Sequence, residues 1–463
     1  MQHREAILRL PSASGCSPTG SPPILPAMFH DLKLLETDAG LDFEIHLDPD
    51  KRFYCFFGEN GVGKTNLLQN LTRTMLAMHS ILLPASVGDY RFKNAISGRL
   101  SFKALGSRSL VLPKRIEIEG TQILRWKDRR VLPADLRRDD FPMIGSLTEM
   151  PWAQWIIDKP VVMIGTKARG HTINIKADKL EFIGDIEKEL ERAFHRTWNA
   201  ATGHTIKIPV LAHWIASRRL INPSFVIGAS SRANEVTALC ELLSELDPAL
   251  RISADSINFR DGKLWFLAVP LDKLATGYIA VIRIFQEIIA AYGAWGGLID
   301  ASDIRSFDGI VLIDELEAHL HPKWQIGLVS LLKRAFPNTT FIVCTHSPLV
   351  VAQTEEGEAY ELIREGNSVS SRRLGNPRDW YLADVYANAF HIALPPPGSD
   401  APEGETPLTD LLIEFSAHVK DFLANRTPAK RTEALGLYER IRARIPEDDP
   451  RRKSLDSLRS LVG

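Results

Sequence analysis

Three short apolar runs, each followed by polar residues, form the clearest pattern along the chain. They cover residues 52–57, 309–313 and 339–344. Continuous apolar runs of this length are typical of parallel strands in a sheet that is covered on both faces. Ligands of such sheets bind beyond the carboxyl ends of the strands. The pattern therefore predicts an α/β fold, with its candidate site in the polar residues that follow the runs.

The first run leads into a loop with the chemistry of phosphate binding. Residues 58–65 fit the pattern G-x-x-x-x-G-K-[ST], and residues 66–71 have helical character. Glycines allow several backbone N–H groups of such a loop to point at one phosphate, beside a helix N-terminus. The lysine reaches the β- and γ-phosphates, and the final hydroxyl binds Mg²⁺. The residues predicted to bind the nucleotide are Asn60, Gly61, Val62, Gly63, Lys64 and Thr65.

A Gly-rich turn without a ligand would show the same motif, so the other two runs are needed as support. Asp314 and Glu315 follow the second run, and His346 lies just beyond the third. Asp314, with Thr65, is the candidate ligand of Mg²⁺, and Glu315 is placed to orient or deprotonate the attacking water. A lone histidine is usually a surface or core residue. Its place at a third strand end predicts that His346 contacts the γ-phosphate.

Three strand-end sites in this order resemble the nucleotide-binding domain of the ABC, SMC and RecF class of ATPases. The resemblance implies a P-loop NTPase of the ABC-ATPase-head type, with a mostly parallel core sheet, an antiparallel β-lobe and a helical lobe. It implies hydrolysis of ATP with Mg²⁺. Two subunits of this class hold ATP between them, so the resemblance also implies a homodimer or a higher homo-oligomer.

The same class carries a signature loop that reaches the ATP of the opposite subunit. Its candidate is the segment 274–278, Leu-Ala-Thr-Gly-Tyr, ahead of an apolar helix predicted over residues 279–292. The family pattern is Leu-Ser-x-Gly, and this chain has Ala275 in place of the serine. Thr276 would then supply a hydroxyl, while the N–H of Gly277 stays available. An ordinary loop before a core helix is the alternative interpretation.

A narrower resemblance is carried by residues 315–325 and 345–348. They look like the bacterial AAA-family ATPases related to the overcoming-lysogenization-defect proteins, and they are similar to the ATPase subunits of Septu-type and retron-associated antiviral systems. The resemblance implies a switch subunit whose effector, a nuclease, is a separate polypeptide. A RecF-like clamp that acts on DNA in repair or recombination is the second interpretation. A transporter ATPase is the third, and the His319-Leu320-His321-Pro322 variant argues against it.

Composition limits these interpretations. Net charge is −1, so contact with DNA requires a local basic patch such as residues 125–130, 137–138 or 218–219. The 4 cysteines have no C-x-x-C spacing, which favours buried thiols in the cytoplasm over disulfides or zinc ligands. We find no apolar stretch of about 18 residues and therefore expect no membrane partner.

Shifts in composition divide the chain into regions. Residues 1–27 are rich in Ser, Pro and Gly and are expected to be a disordered tail, unless translation starts at Met28. An ATPase domain is predicted over residues 28–393, with an inserted lobe at about 125–265. A Pro-rich linker over 394–407 and a helical appendage over 408–463 follow. In the resembled class, nuclease relatives carry a metal-binding Toprim domain after the histidine. Because no Asp-x-Asp strand end appears in the roughly 110 residues given after His346, we expect no built-in nuclease.

Inside the middle region we predict short elements and one ligand. Strands are predicted at 109–112, 115–118 and 208–212, and a helix at 183–198. The resemblance places the Mg²⁺-binding glutamine of ABC proteins in the same interval, as Gln122 or Gln154.

Overall fold

The computed structural model describes the part of the chain that carries the predicted motifs. The described residues are 30–79, 110–118, 121–125, 130–131, 157, 159–166, 186–203, 211–220, 233–250, 252–260, 263–266, 269–270, 273–299, 304–392, 406, 408–445 and 451–462. The chain divides into two compact units, Met1–Val385 and Tyr386–Gly463. The predicted tail over residues 1–27, the patch at 137–138 and Gln154 lie outside the described residues.

Helices and strands both occur in the first unit, and the elements of the second unit are helices wherever the structure describes it. The helices are α1 (Lys64–Ala77), α2 (Ile186–Ala201), α3 (Leu211–Leu220), α4 (Ala233–Leu246), α5 (Thr276–Ile299), α6 (Pro322–Ala335), α7 (Pro348–Val351), α8 (Leu382–Ala389), α9 (Leu408–Asn425), α10 (Pro428–Arg444) and α11 (Arg451–Ser460). The strands are β1 (Asp31–Leu35), β2 (Asp42–His46), β3 (Phe53–Phe57), β4 (Leu110–Val111), β5 (Arg115–Ile118), β6 (Thr121–Arg125), β7 (Arg130–Val131), β8 (Val161–Ile164), β9 (Ile257–Arg260), β10 (Lys263–Phe266), β11 (Val269–Pro270), β12 (Ile310–Ile313), β13 (Thr340–Cys344), β14 (Ala359–Glu365) and β15 (Ser368–Arg373).

One sheet of the described strands forms the centre of the first unit, in the order β6-β5-β1-β2-β15-β14-β3-β13-β12-β8. Strands β14, β3, β13, β12 and β8 run parallel to one another. Strands β1, β2, β5 and β6 pair antiparallel at the other side of the sheet. The predicted α/β fold with a mostly parallel core and an antiparallel portion is confirmed.

The three apolar runs form β3, β12 and β13, and every residue of these strands is buried. Helix α1 covers one face of the sheet, because Leu67, Leu71 and Met75 recur every fourth residue and so lie on one side of the helix. The register places Ile313 opposite Val343. Likewise Cys344 lies opposite Phe56 on β3. The three strands therefore end at one edge of the sheet, where their polar residues meet.

The helical part differs from the sequence prediction at one place. The apolar segment 208–212 was predicted to be a strand, but Leu211 and Ala212 begin helix α3. Arg218 on this helix is 8% exposed. Its Nε–H donates to Glu235 at 2.5 Å, and its guanidinium lies 4.5 Å from the centre of the Trp214 ring. The Arg218 guanidinium is thus paired inside the helical part, so its charge does not form an exposed basic patch.

The expectation that the chain has no apolar stretch of about 18 residues is wrong, because helix α5 contains one. Its segment Thr276–Gly296 is long and apolar enough to cross a membrane by length and composition. The whole apolar window is buried inside the protein.

The second unit has its own core. Helices α9 and α10 pack through Leu411, Phe415, Tyr438 and Ile441, all of them buried. The Tyr438 hydroxyl donates to Asp456 of α11 at 2.7 Å, which fastens the last helix to this pair. The division into a linker at 394–407 and a helical appendage at 408–463 stays a prediction.

Candidate functional site

The loop between β3 and α1 has the backbone that phosphate binding requires. Gly58, Gly61 and Gly63 have φ values of 146°, 82° and 109°, a region that residues with a side chain rarely adopt. At Gly58 a Cβ would also lie 2.7 Å from the carbonyl oxygen of Leu362 on β14. Space around Gly61 is open, with no atom within 4 Å of a Cβ built there. The loop therefore packs tightly against the sheet at Gly58, and at Gly61 it leaves space that a ligand could occupy.

Lys64 folds back across this loop. Its Nζ donates to the carbonyl oxygens of Gly58 and Glu59, at 2.8 Å each. Burial lowers the pKa of Lys64, and the carboxylate of Asp314 acts in the opposite direction. Two carbonyl oxygens of the loop thus hold the ammonium group against the loop backbone.

Thr65 and Asp314 meet across the strand edge. The Thr65 hydroxyl lies 2.9 and 3.1 Å from the two carboxylate oxygens of Asp314, which is 5% exposed. A hydroxyl and a carboxylate are hard oxygen ligands of the kind that Mg²⁺ prefers. Among the described residues, no three His, Cys, Asp or Glu side chains gather into a metal site. A magnesium ion held here would take its other ligands from phosphate and water, which fits a nucleotide site.

Glu315 occupies a strained position. Its φ is 48°, in the left-handed region that side chains disfavour. The neighbouring Leu316 N–H donates to the Cys344 carbonyl at 3.0 Å, so the turn after β12 is fixed to the end of β13. Backbone strain of this kind persists where the surrounding structure enforces it, and it is common in active sites.

His346 lies at the same edge, because the Thr345 N–H donates to the Phe56 carbonyl at 3.0 Å. Partial burial lowers the pKa of His346, and the charge of Lys64 lowers it further. The carboxylates of Glu317, Glu315 and Asp314 oppose this change. The net lowering of the pKa favours the neutral imidazole, in which one ring nitrogen carries a proton.

The phosphate loop, Asp314, Glu315 and His346 thus occupy one edge of the sheet, and the signature candidates lie at the start of helix α5. Thr276 and Gly277 are the first residues of α5, so the helix begins earlier than predicted. A Cβ at Gly277 would lie 2.9 Å from the carbonyl oxygen of His319. The ring centres of Tyr278 and Trp324 are 4.4 Å apart. The signature segment therefore packs on the segment His319–Trp324 of its own chain.

Sequence reasoning missed three polar residues near the site. Glu317 accepts hydrogen bonds from Thr345 and His346. Gln325 accepts one from Ser347 at 2.6 Å. Arg364 donates to the Gly61 carbonyl at 3.1 Å. The spacing Glu-x-Glu in residues 315–317 was a visible signal for the first, whereas only the fold brings Arg364 to the loop.

Of the two candidate glutamines, Gln154 lies outside the described residues. Gln122 is on the outermost strand β6, where it pairs with Glu117 of β5, and five strands separate β6 from β3. The choice of glutamine stays a prediction. The strand next to β12 is instead β8, and Asp314 donates its N–H to the Ile164 carbonyl at 3.0 Å.

The described fold is α/β, and this edge brings together a phosphate loop, Asp314 and His346 in the order that is typical of P-loop NTPases. A family model described as "AAA domain, putative AbiEii toxin, Type IV TA system" matches residues 298–352. Septu protein PtuA of Bacillus mycoides is 41% identical over 124 residues, which are 26% of this chain and 16% of that protein. The Retron Ec83 probable ATPase of Escherichia coli is 34% identical over 122 residues, 26% of this chain and 20% of that protein.

A third relative, the Retron Vc95 probable ATPase of Vibrio cholerae, is 54% identical over 57 residues, 12% of this chain and 11% of its own length. This chain thus matches less than a quarter of the length of these three proteins. The resemblance to ATPases of Septu-type and retron-associated antiviral systems is confirmed.

Among solved structures, an Smc head domain derived from Pyrococcus furiosus is similar over 75% of this chain and 96% of its own, with 14% identity and a TM-score of 0.35. CbiO1 of Clostridium perfringens, part of an ABC transporter complex, is similar over 80% and 96%, with 13% identity and a TM-score of 0.31. This likeness is too low to support conclusions about function or assembly.

Proposed function

We propose that this chain hydrolyses ATP as the switch subunit of a bacterial antiviral complex. It dimerises when ATP is bound and controls a separate effector protein, a nuclease. One observation supports the ATPase above all others. The carboxylate of Asp314 meets the Thr65 hydroxyl at 2.9 Å beside a phosphate loop, with Glu315 and His346 at the same strand edge. The defence role is supported by the resemblance to the Septu and retron ATPases.

The geometry divides the chemistry among the side chains of the edge. Lys64 and the loop amides would bind the phosphates, and Thr65 and Asp314 would hold Mg²⁺, which would supply charge neutralisation at the phosphate oxygens. Glu315 orients the attacking water and receives its proton. The neutral imidazole of His346 donates its N–H to the γ-phosphate. Hydrolysis removes the γ-phosphate and so breaks its hydrogen bond to His346. The presence of this bond would distinguish the ATP-bound state from the ADP-bound state.

Replacing Glu315 by Gln separates ATP binding from hydrolysis. Glu315→Gln keeps the size of the side chain but removes the base, so binding of ATP persists while turnover falls by roughly 100-fold or more. ATP-bound dimers accumulate, which size-exclusion chromatography with light scattering measures. The control is Glu356→Gln, a surface carboxylate that is 69% exposed and should leave turnover unchanged. Normal turnover of Glu315→Gln would contradict the role of this residue.

The biological role is tested by phage challenge. The chain is expressed in a bacterial host together with the product of its neighbouring gene, and plaque formation is counted. Protection is expected from the wild-type pair and not from a pair with Glu315→Gln. Protection against DNA damage instead of phage, with direct binding of DNA by the purified dimer, would favour a RecF-like role in repair.

A further inference from the structure

Three carboxylates, Asp314, Glu315 and Glu317, follow β12 along the chain, and the mechanism uses the first two. The third, Glu317, makes two short hydrogen bonds to the segment that follows β13. Its Oε1 accepts the backbone N–H of His346 at 2.6 Å. Its Oε2 accepts the hydroxyl of Thr345, also at 2.6 Å. One side chain therefore bridges two consecutive residues, the second of which is the histidine of the site.

We propose that Glu317 is a positioning residue that holds His346 in place for ATP hydrolysis, an inference that rests on the proposed function. Hydrogen bonds to an ionised carboxylate are shorter and about twice as strong as those between neutral groups. They fix the backbone of His346, and so the direction in which its imidazole leaves the strand end. His346 is an exposed residue, so fixing its backbone is one way to restrict where its side chain points.

The network continues on the other side of the histidine. The Thr345 hydroxyl accepts the N–H of Ser347 at 3.0 Å. The Ser347 hydroxyl donates to Gln325 at 2.6 Å, and the amide of Gln325 donates to the Leu320 carbonyl at 2.9 Å. Both neighbours of His346 are thus bound to the segment that begins with Glu317. Glu317 is the only charged member of this chain of bonds, so its removal weakens it most.

A double-mutant cycle tests the assignment. In Glu317→Ala the single-turnover rate of ATP cleavage falls roughly 10- to 100-fold, while the Kd for a non-hydrolysable ATP analogue changes by less than about 3-fold. In a His346→Ala background the same change alters the rate by less than about 3-fold, since the histidine that Glu317 positions is already absent. Radiolabelled ATP provides the sensitivity that the slow variants require.

Two milder variants are expected to have intermediate rates of ATP cleavage. They also show whether a loss of rate in Glu317→Ala comes from misfolding. Thr345→Val keeps the shape of its side chain but removes its bond to Glu317 and the acceptor of the Ser347 N–H. The bond from the His346 N–H to Glu317 remains, so the rate of this variant lies between those of wild type and Glu317→Ala. Glu317→Gln keeps an acceptor for the His346 N–H and restores part of the rate. Melting temperatures of all variants identify any loss of rate that comes from unfolding, and the comparison is then made with Glu317→Gln alone.

The outcomes separate this inference from the proposed function. If wild type cleaves no ATP, or if His346→Ala cleaves it at the wild-type rate, the proposed mechanism fails. If both behave as expected but Glu317→Ala and Glu317→Gln keep the wild-type rate, Glu317 does not position the histidine. An equal loss of rate in both backgrounds also overturns the inference, because Glu317 would then act independently of His346.

Discussion

Lys64→Ala abolishes detectable binding of ATP, a loss of affinity of roughly 100-fold or more. The Lys64 ammonium is the only full positive charge that the phosphate loop itself carries, and it bonds to the carbonyls of Gly58 and Glu59 inside that loop. A nucleotide triphosphate competes for these N–H donors with a much stronger acceptor. Alanine removes the charge but leaves the loop backbone, so the variant should fold.

Calorimetry with ATP and Mg²⁺ measures the loss. The matched control is Lys51→Ala, since Lys51 precedes β3 while the phosphate loop follows it, at the opposite end of the strand. The control is expected to bind ATP as wild type does. Tight binding and normal turnover in Lys64→Ala would refute the assignment of the phosphate loop and the site built around it.

The sequence was sufficient for the parts of the fold that obey one strong rule. Strands buried on both faces have to be apolar throughout, so β3, β12 and β13 were predictable within a residue at each end. Parallel pairing then brings their carboxyl ends to one edge. For this reason Lys64, Asp314 and His346 were predicted to lie together although they are far apart along the chain.

Shorter or mixed patterns were less informative. The apolar pattern of segment 208–212 fits a strand and a buried helix equally well. In the structure its last two residues begin helix α3, which packs against α4. The charge of Arg218 suggested an exposed basic patch. The structure pairs it with Glu235 at 2.5 Å, a contact that the sequence does not show. Side-chain partners depend on tertiary contacts that local pattern does not contain.

The same limit applies inside the site. Glu315 and Glu317 are indistinguishable as residue types, and only the turn after β12 gives them different tasks. With φ at 48°, the backbone of Glu315 bends sharply, and the next carboxylate reaches the N–H of His346. The start of α5 at Thr276 was likewise hidden, since Leu274-Ala275-Thr276 has no capping pattern ahead of the apolar run.

The second large effect concerns two chains together. We propose that each ATP lies between the phosphate loop of one subunit and the signature segment of the other, in a two-fold symmetric pair. Thr276 and Gly277 open helix α5, whose first-turn N–H groups have no partner within the helix and suit a phosphate. Gly277→Asp places a negative charge there. Its Cβ would also lie only 2.9 Å from the His319 carbonyl oxygen. Both the charge and this close contact are expected to disrupt the signature segment.

Mixing Lys64→Ala chains with Gly277→Asp chains then restores activity that neither variant has alone. In a heterodimer one composite site carries both defects and the other carries neither. Random exchange of equal amounts makes half of the dimers mixed, each with one intact site, so about a quarter of the wild-type rate is expected. ATP turnover of the mixture is measured after exchange of differently tagged chains has been verified by pull-down. A mixture as inactive as its parents, in spite of verified exchange, would exclude sites shared between subunits and leave a mechanism within one chain.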